Sequence, residues 1–206
     1  MKKINELFKP VNLTKGSVWK VIAGFSVPIL ISYLFQQIYT IADAAICGKF
    51  LSENQVAGVN NTGTIVFLVL QFAFGCTAGF SVITSKHSGQ KNIGAIRRSL
   101  ATQIVLSFII GVILTAVSIL SINPLLKGIG LQASANPVQN EIYRSAYVYV
   151  CIIFAGCLAQ IFYNLSASFL RSVGDSFAPL IFLIVSAVLN IALDLLFIAV
   201  FHTGVA

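Results

Sequence analysis

The sequence predicts an all-α fold, a polytopic transmembrane helix bundle of about five spans, on three observations. Of its 206 residues 57% are hydrophobic and 9% charged, against about 25% charged in an ordinary soluble domain. Uncharged runs long enough to cross a hydrocarbon core of ~30 Å, which takes about 20 helical residues, recur along the chain. Finally, the basic residues fall between these runs, as the loops of a membrane protein require.

Residues 1–17 are a basic amino-terminal segment. Its "MKKINELFKP" sets Ile4, Leu7 and Phe8 on one helical face, which fits a short helix on the inner membrane surface; a disordered tail fits as well, because so short a helix is marginal alone. Residues 18–206 form one bundle with spans at about 18–49, 54–85, 99–126, 144–170 and 176–201. No linker rich in Pro, Gly or Ser divides it. Pro28 removes a backbone hydrogen bond inside the first span, so a kink is expected there. "GCTAG", Gly75 to Gly79, has the small-xxx-small spacing of closely packed membrane helices. Gln160 and Asn164 in the fourth span read as interhelical contacts. The turn "LRSVGDSFAP" bends at Gly174, with Arg171 and Asp175 in the loop and Pro179 opening the fifth helix.

The net charge of +7 does not indicate nucleic acid, because the basic residues do not cluster with aromatics on a solvated face. Lys2, Lys3, Lys9, Lys15, Lys20, Lys86, Lys91, Arg97, Arg98 and Arg171 lie on one side of the bilayer, against Lys49, Lys127 and Arg144 on the other. The positive-inside rule then puts the amino terminus in the cytoplasm, in a multi-pass plasma-membrane protein. The first apolar run is too long for a cleavable signal. Cys47, Cys76, Cys151 and Cys157 contain no CxxC pair and read as small buried hydrophobes.

Two carboxylates stand inside apolar runs, Asp43 and Asp194. A charge at the centre of a membrane helix costs at least ~2.5–3.5 kcal/mol on insertion scales, so such residues face a bundle interior or a wet cavity and are functional candidates. Gln36, Tyr39 and Thr40 share a helical face with Asp43, and Asn190 lies one turn before Asp194. Burial disfavours the charged form of a carboxylate, which makes protonation sensitive to cavity hydration. A proton carrier fits this chemistry. Oxygen ligation of Na+ by Asp43, Asp194 and Asn190 fits it too. No other cofactor is implied.

The stretches "PILISYLFQQIYTIADAAICGKFL", "GFSVITSKHSGQKN", "NLSASFLRSVGDSFAP" and "LNIALDLLFI", in this order, resemble the amino-terminal lobe of the multidrug and toxic compound extrusion (MATE) transporters. The resemblance implies two six-helix lobes around a central cavity, exporting cationic or amphipathic compounds against H+ or Na+ entry. It also implies that Asp43 and Asp194 bind the coupling ion, with Gln36 and Asn190 as neighbours. Family members are about twice this length, so the chain is expected to be a fragment whose carboxyl lobe, or a second chain, completes the cavity. A lipid-linked precursor flippase is the related alternative. It needs basic residues in its cavity, whereas these spans read as acids and amides with essentially no Lys or Arg. An intramembrane aspartyl hydrolase is disfavoured because the aspartates lack the expected Tyr-Asp and Gly-x-Gly-Asp settings, so the protein reads as no enzyme. A non-transporting membrane subunit is the third reading.

Overall fold

The computed structural model describes residues 16–201. The amino-terminal segment with Ile4, Leu7 and Phe8, and residues 202–206, lie outside them. Seven α-helices and one π-helical turn follow in order. They are α1 (Val18–Phe50), α2 (Glu53–Gly89), α3 (Ile93–Leu120), α4 (Ile122–Gly128), α5 (Pro137–Ala155), α6 (Cys157–Ser172), α7 (Phe177–Asp194) and the π turn Leu195–Val200. No strand occurs among the described residues.

The first two spans are longer than expected but in place. Helix α1 runs unbroken through Pro28, and the Ser32 hydroxyl donates to the Pro28 carbonyl at 2.8 Å. Helix α2 starts on a capping box: the Ser52 hydroxyl accepts from the Gln55 amide at 3.2 Å, and Gln55 Oε1 accepts from the Ser52 amide at 3.1 Å. This arrangement satisfies two helix donors that would otherwise be orphaned. Ser52 and Asn54 also donate to the Glu141 carboxylate at 3.0 and 2.8 Å, which ties the start of α2 to α5.

The remaining spans depart from the predicted boundaries. The third, expected over 99–126, is α3 followed by the separate short α4. Pro124 explains the division, because a proline ring clashes with the carbonyl four residues earlier, and that carbonyl belongs to Leu120, the last residue of α3. The fourth, expected over 144–170, is the pair α5 and α6 bent by 47° at Gly156. Glycine lowers helical preference by ~1 kcal/mol relative to Ala, and the bend keeps Phe154, Cys157 and Ile161 all facing inward, each 0–1% exposed. Among the described residues four helices are long and apolar enough to span, or five when the bent pair counts as one.

Packing divides the bundle unequally. Helices α2, α3, α5 and α6 pack on one another; α2, α4 and α5 enclose Ile65, Val66, Ile122, Leu126, Val150 and Phe154, while Ala73 of α2 meets Cys157 and Ile161 of α6, with Leu114 of α3 against them. Helices α1 and α7 pack chiefly on each other and touch the rest lightly. Lipid offers no hydrophobic drive to helix association, so close contact must come from small residues. At Gly58 a Cβ would lie 2.7 Å from the Ile142 carbonyl oxygen and 3.0 Å from the Ala146 nitrogen, so only glycine lets α2 approach α5 this closely. At Gly111 a Cβ would collide with the Leu158 side chain.

The small-xxx-small expectation at Gly75 and Gly79 is overturned. A Cβ at either position meets nothing within 4 Å. The buried stripe of α2 runs through Gly58, Thr62, Ile65, Ala73, Thr77 and Thr84, and Gly75 and Gly79 lie two residues off it, on the far side of the helix. Gly75→Ala should therefore leave the melting temperature in detergent unchanged or raise it, by up to ~1 kcal/mol of helix propensity; a lowered midpoint would show a contact there.

Candidate functional site

Two polar regions lie where the α1–α7 pair meets the rest of the bundle. The first is the aspartate pair. Asp43 on α1 and Asp194 at the end of α7 lie within electrostatic range of each other where the two helices pack. The Cys47 thiol, one turn beyond Asp43, points to its Oδ1 at 3.8 Å. Oδ2 of Asp194 is buried without a hydrogen-bond partner. Tyr149 of α5 lies within electrostatic range of Asp43, Cys47 and Tyr39. The chain passes from α7 into the π turn immediately after Asp194, closed by the Phe201 amide donating to the Leu196 carbonyl at 3.0 Å. Single π turns of this kind recur at functional sites.

The second region is a chamber of about 450 Å³ between α1, α2, α6 and α7. Helix α1 supplies Ser32, Tyr33, Gln36, Gln37 and Thr40, and α2 supplies Gln71 beside Phe67, Leu70 and Phe74. Across from them α6 contributes Gln160, Tyr163, Asn164 and Arg171, and Pro179 and Leu183 of α7 close the wall. The Thr40 hydroxyl donates to the Gln36 main-chain carbonyl at 2.9 Å, and both residues line the chamber. Gln160 and Asn164 form a long contact of 3.5 Å along their own helix. They line the chamber rather than bridging helices.

The predicted residues are thus brought together in part. Asp43 and Asp194 meet, Gln36 and Thr40 line the chamber, and Tyr39 lies between the regions, within electrostatic range of Tyr149 and Tyr163. Asn190 joins neither region: it sits on an exposed flank of α7. Among the described residues no group of three or more His, Cys, Asp or Glu is placed to hold a metal ion.

Reading the sequence missed most of the chamber. Gln37, Gln71, Tyr33 and Tyr163 carry no motif, although an amide within a span is a polar signal of the kind that singled out Gln36. Arg171 corrects the reading of a cavity without basic residues. Helix α6 continues to Ser172, so Arg171 stands in its last turn rather than in a loop, lines the chamber, and has its Nε buried without a partner. It is the one formal charge among the chamber-lining residues.

Comparison with known proteins places this architecture. The chain is 31% identical over 180 residues to the probable multidrug resistance protein YoeA of Bacillus subtilis, covering 87% of this chain and 37% of that protein. It is 29% identical over 198 residues to the probable multidrug resistance protein YpnP of the same organism, covering 96% and 43%. A solved multidrug resistance MATE family transporter of the MOP superfamily, in an outward-facing conformation, superposes with a TM-score of 0.84 at 25% identity over 96% of this chain and 42% of its own. The chain therefore spans about two-fifths of the length of these relatives. With the MatE family profile matching residues 28–196, the chain belongs to the MATE family of transporters and corresponds to the amino-terminal lobe.

Proposed function

We propose that this lobe carries the ion-coupling site of a secondary antiporter that exports cationic or amphipathic compounds in exchange for H+, its cavity completed by a carboxyl lobe or a second chain. The observation that carries the reading is the Asp43–Asp194 contact with a buried, unpartnered Asp194 oxygen. Two neighbouring carboxyl groups repel when both are ionised and can share a proton when one is not. Proton binding thus pulls α1 and α7 together and release pushes them apart, on the two helices least attached to the rest of the bundle. Na+ would want several oxygen ligands, and Asn190, the third oxygen ligand suggested by the sequence, lies on an exposed flank. The protein is read as a transporter rather than an enzyme, in the plasma membrane with its amino terminus in the cytoplasm, as the positive-inside rule requires.

Everted vesicles carrying the native gene product test this. An imposed pH gradient should drive accumulation of a cationic dye such as ethidium, and a Na+ gradient at fixed pH should not. Accumulation under Na+ alone, or none under either gradient, would sink the proposal.

Arg171 favours a second reading of the cargo, in which an amphipathic molecule presents an anionic group to the chamber while amides hold its polar body. A hydrogen bond to a charged group contributes ~1.5–3 kcal/mol. Arg171→Ala should then weaken transport of an anionic dye by about tenfold or more and change ethidium transport by less than about twofold. Equal losses for both dyes would assign Arg171 a structural role instead.

A further inference from the structure

At the basic end of the lobe, where α2 ends and α3 begins, lies a groove of about 670 Å³ separate from both regions described above. Its walls are two helical faces. Phe80, Ile83 and His87 are spaced three and four apart on α2, and Arg98, Thr102 and Leu106 are spaced four apart on α3. The helices are joined beside the groove by a polar zipper. The Thr84 and Ser99 hydroxyls meet at 2.8 Å, and the two N–H groups of Gln103 Nε2 are shared among the Ser99 hydroxyl at 2.9 Å, the Phe80 carbonyl at 3.0 Å and the Thr84 hydroxyl.

Three features say what the groove accepts. Its charge is one-sided: Arg98 and His87 line it, Lys86, Lys91 and Arg97 adjoin it, and no Asp or Glu occurs anywhere between residues 54 and 140. Apolar side chains line it at the outer surface of the helices, with Ile83 58% and Leu106 38% exposed. At its depth the Oε1 of Gln103, a residue only 3% exposed, has no hydrogen-bond partner. The amino terminus of α3 adds to the attraction for an anion, since the first backbone N–H groups of a helix point outward.

We propose that this groove binds the phosphate headgroup of an anionic phospholipid. Arg98 and His87 hold the phosphate, Phe80, Ile83 and Leu106 receive the first methylenes of an acyl chain, and a headgroup hydroxyl or the water beneath it reaches Gln103. The mixed lining of basic and apolar side chains matches an amphiphile lying along the helices better than a free ion.

Native mass spectrometry of the full chain in mild detergent, titrated with phosphatidylglycerol and with phosphatidylcholine of the same acyl chains, tests the site. Wild type should hold phosphatidylglycerol about fivefold tighter or more, since a basic residue near a lipid surface contributes ~1 kcal/mol. Arg98→Gln combined with His87→Gln should bring the two lipids to parity. Gly94→Leu is the second variant: a Cβ there meets only Asn92 Oδ1 at 3.6 Å, so the residue fits while its side chain fills the groove mouth and every charge is kept. It too should abolish the preference. Parity in the wild type would overturn the proposal, and so would a preference that survives Gly94→Leu, because diffuse attraction to the basic rim would then suffice. Displacement of phosphatidylglycerol by millimolar inorganic phosphate would assign the site to a free anion and overturn the lipid assignment.

Discussion

Asp194→Asn is expected to reduce proton-driven dye efflux at least about a hundredfold, the lower end of the contribution of a positioned proton-transfer group. The amide keeps the volume and hydrogen-bonding capacity of the carboxyl but cannot release a proton, so the helix contact survives while the coupling step is lost. The pairing with Asp43 makes the prediction more specific. If the two carboxyls hold one proton between them, Asp43→Asn should cost a similar factor, and the double variant should be no worse than either single one, the non-additivity of residues that act as a unit. Efflux assays on membranes with matched protein levels check this. Undiminished pH-driven efflux in Asp194→Asn would remove the aspartate pair from the mechanism.

Gly58→Leu is expected to have the largest effect on stability. The nearest neighbours of a Cβ at this position are backbone atoms of α5, the Ile142 oxygen at 2.7 Å and the Ala146 nitrogen at 3.0 Å, which cannot rotate away. Overpacking a close contact typically costs ~1–3 kcal/mol, and Gly58→Ala should fall in that range. The leucine must push α2 off α5 and expose the core around Val66, Val150 and Phe154, so it should exceed ~3 kcal/mol or prevent folding. Cys157 is buried in the same body of helices whereas Cys47, Cys76 and Cys151 are half-buried, so with those three replaced by Ser a thiol-reactive fluorophore reports the unfolding. The reaction midpoint should fall in Gly58→Ala, collapse in Gly58→Leu and stay put in Gly75→Leu, where a Cβ meets nothing within 4 Å. Equal midpoints for the three would refute the packing assigned to α2 and α5.

Composition was enough for the fold class, because uncharged runs of this length have no other stable setting than a bilayer or a large core. It was not enough for the interruptions. Hydropathy sums over a window and carries no direction, so the 47° bend at Gly156 and the division before Pro124 disappear into continuous apolar runs. Small residues misled for a related reason. Spacing says that Gly75 and Gly79 share a face, but not which face of α2 is covered. Asp43 and Asp194 were legible as isolated carboxylates, and their meeting needed the pairing of α1 with α7, which no local pattern encodes. Arg171 was hidden by a boundary error, since a basic residue near a span end reads as a loop until the helix is seen to continue past it.

The pairing of α1 with α7 also has a consequence in time. Among the described helices α1 leaves the ribosome first, and the helix it packs on is made after every other described α-helix. At about 5–20 residues per second, Asp43 waits roughly eight to thirty seconds in or beside the insertion machinery before Asp194 is synthesised. During that interval the nascent chain holds an intramembrane carboxyl whose partner does not yet exist. Biogenesis of the lobe therefore has a late closing step, and a ribosome stalled before α7 should leave α1 free to leave the membrane or to be recognised by quality control.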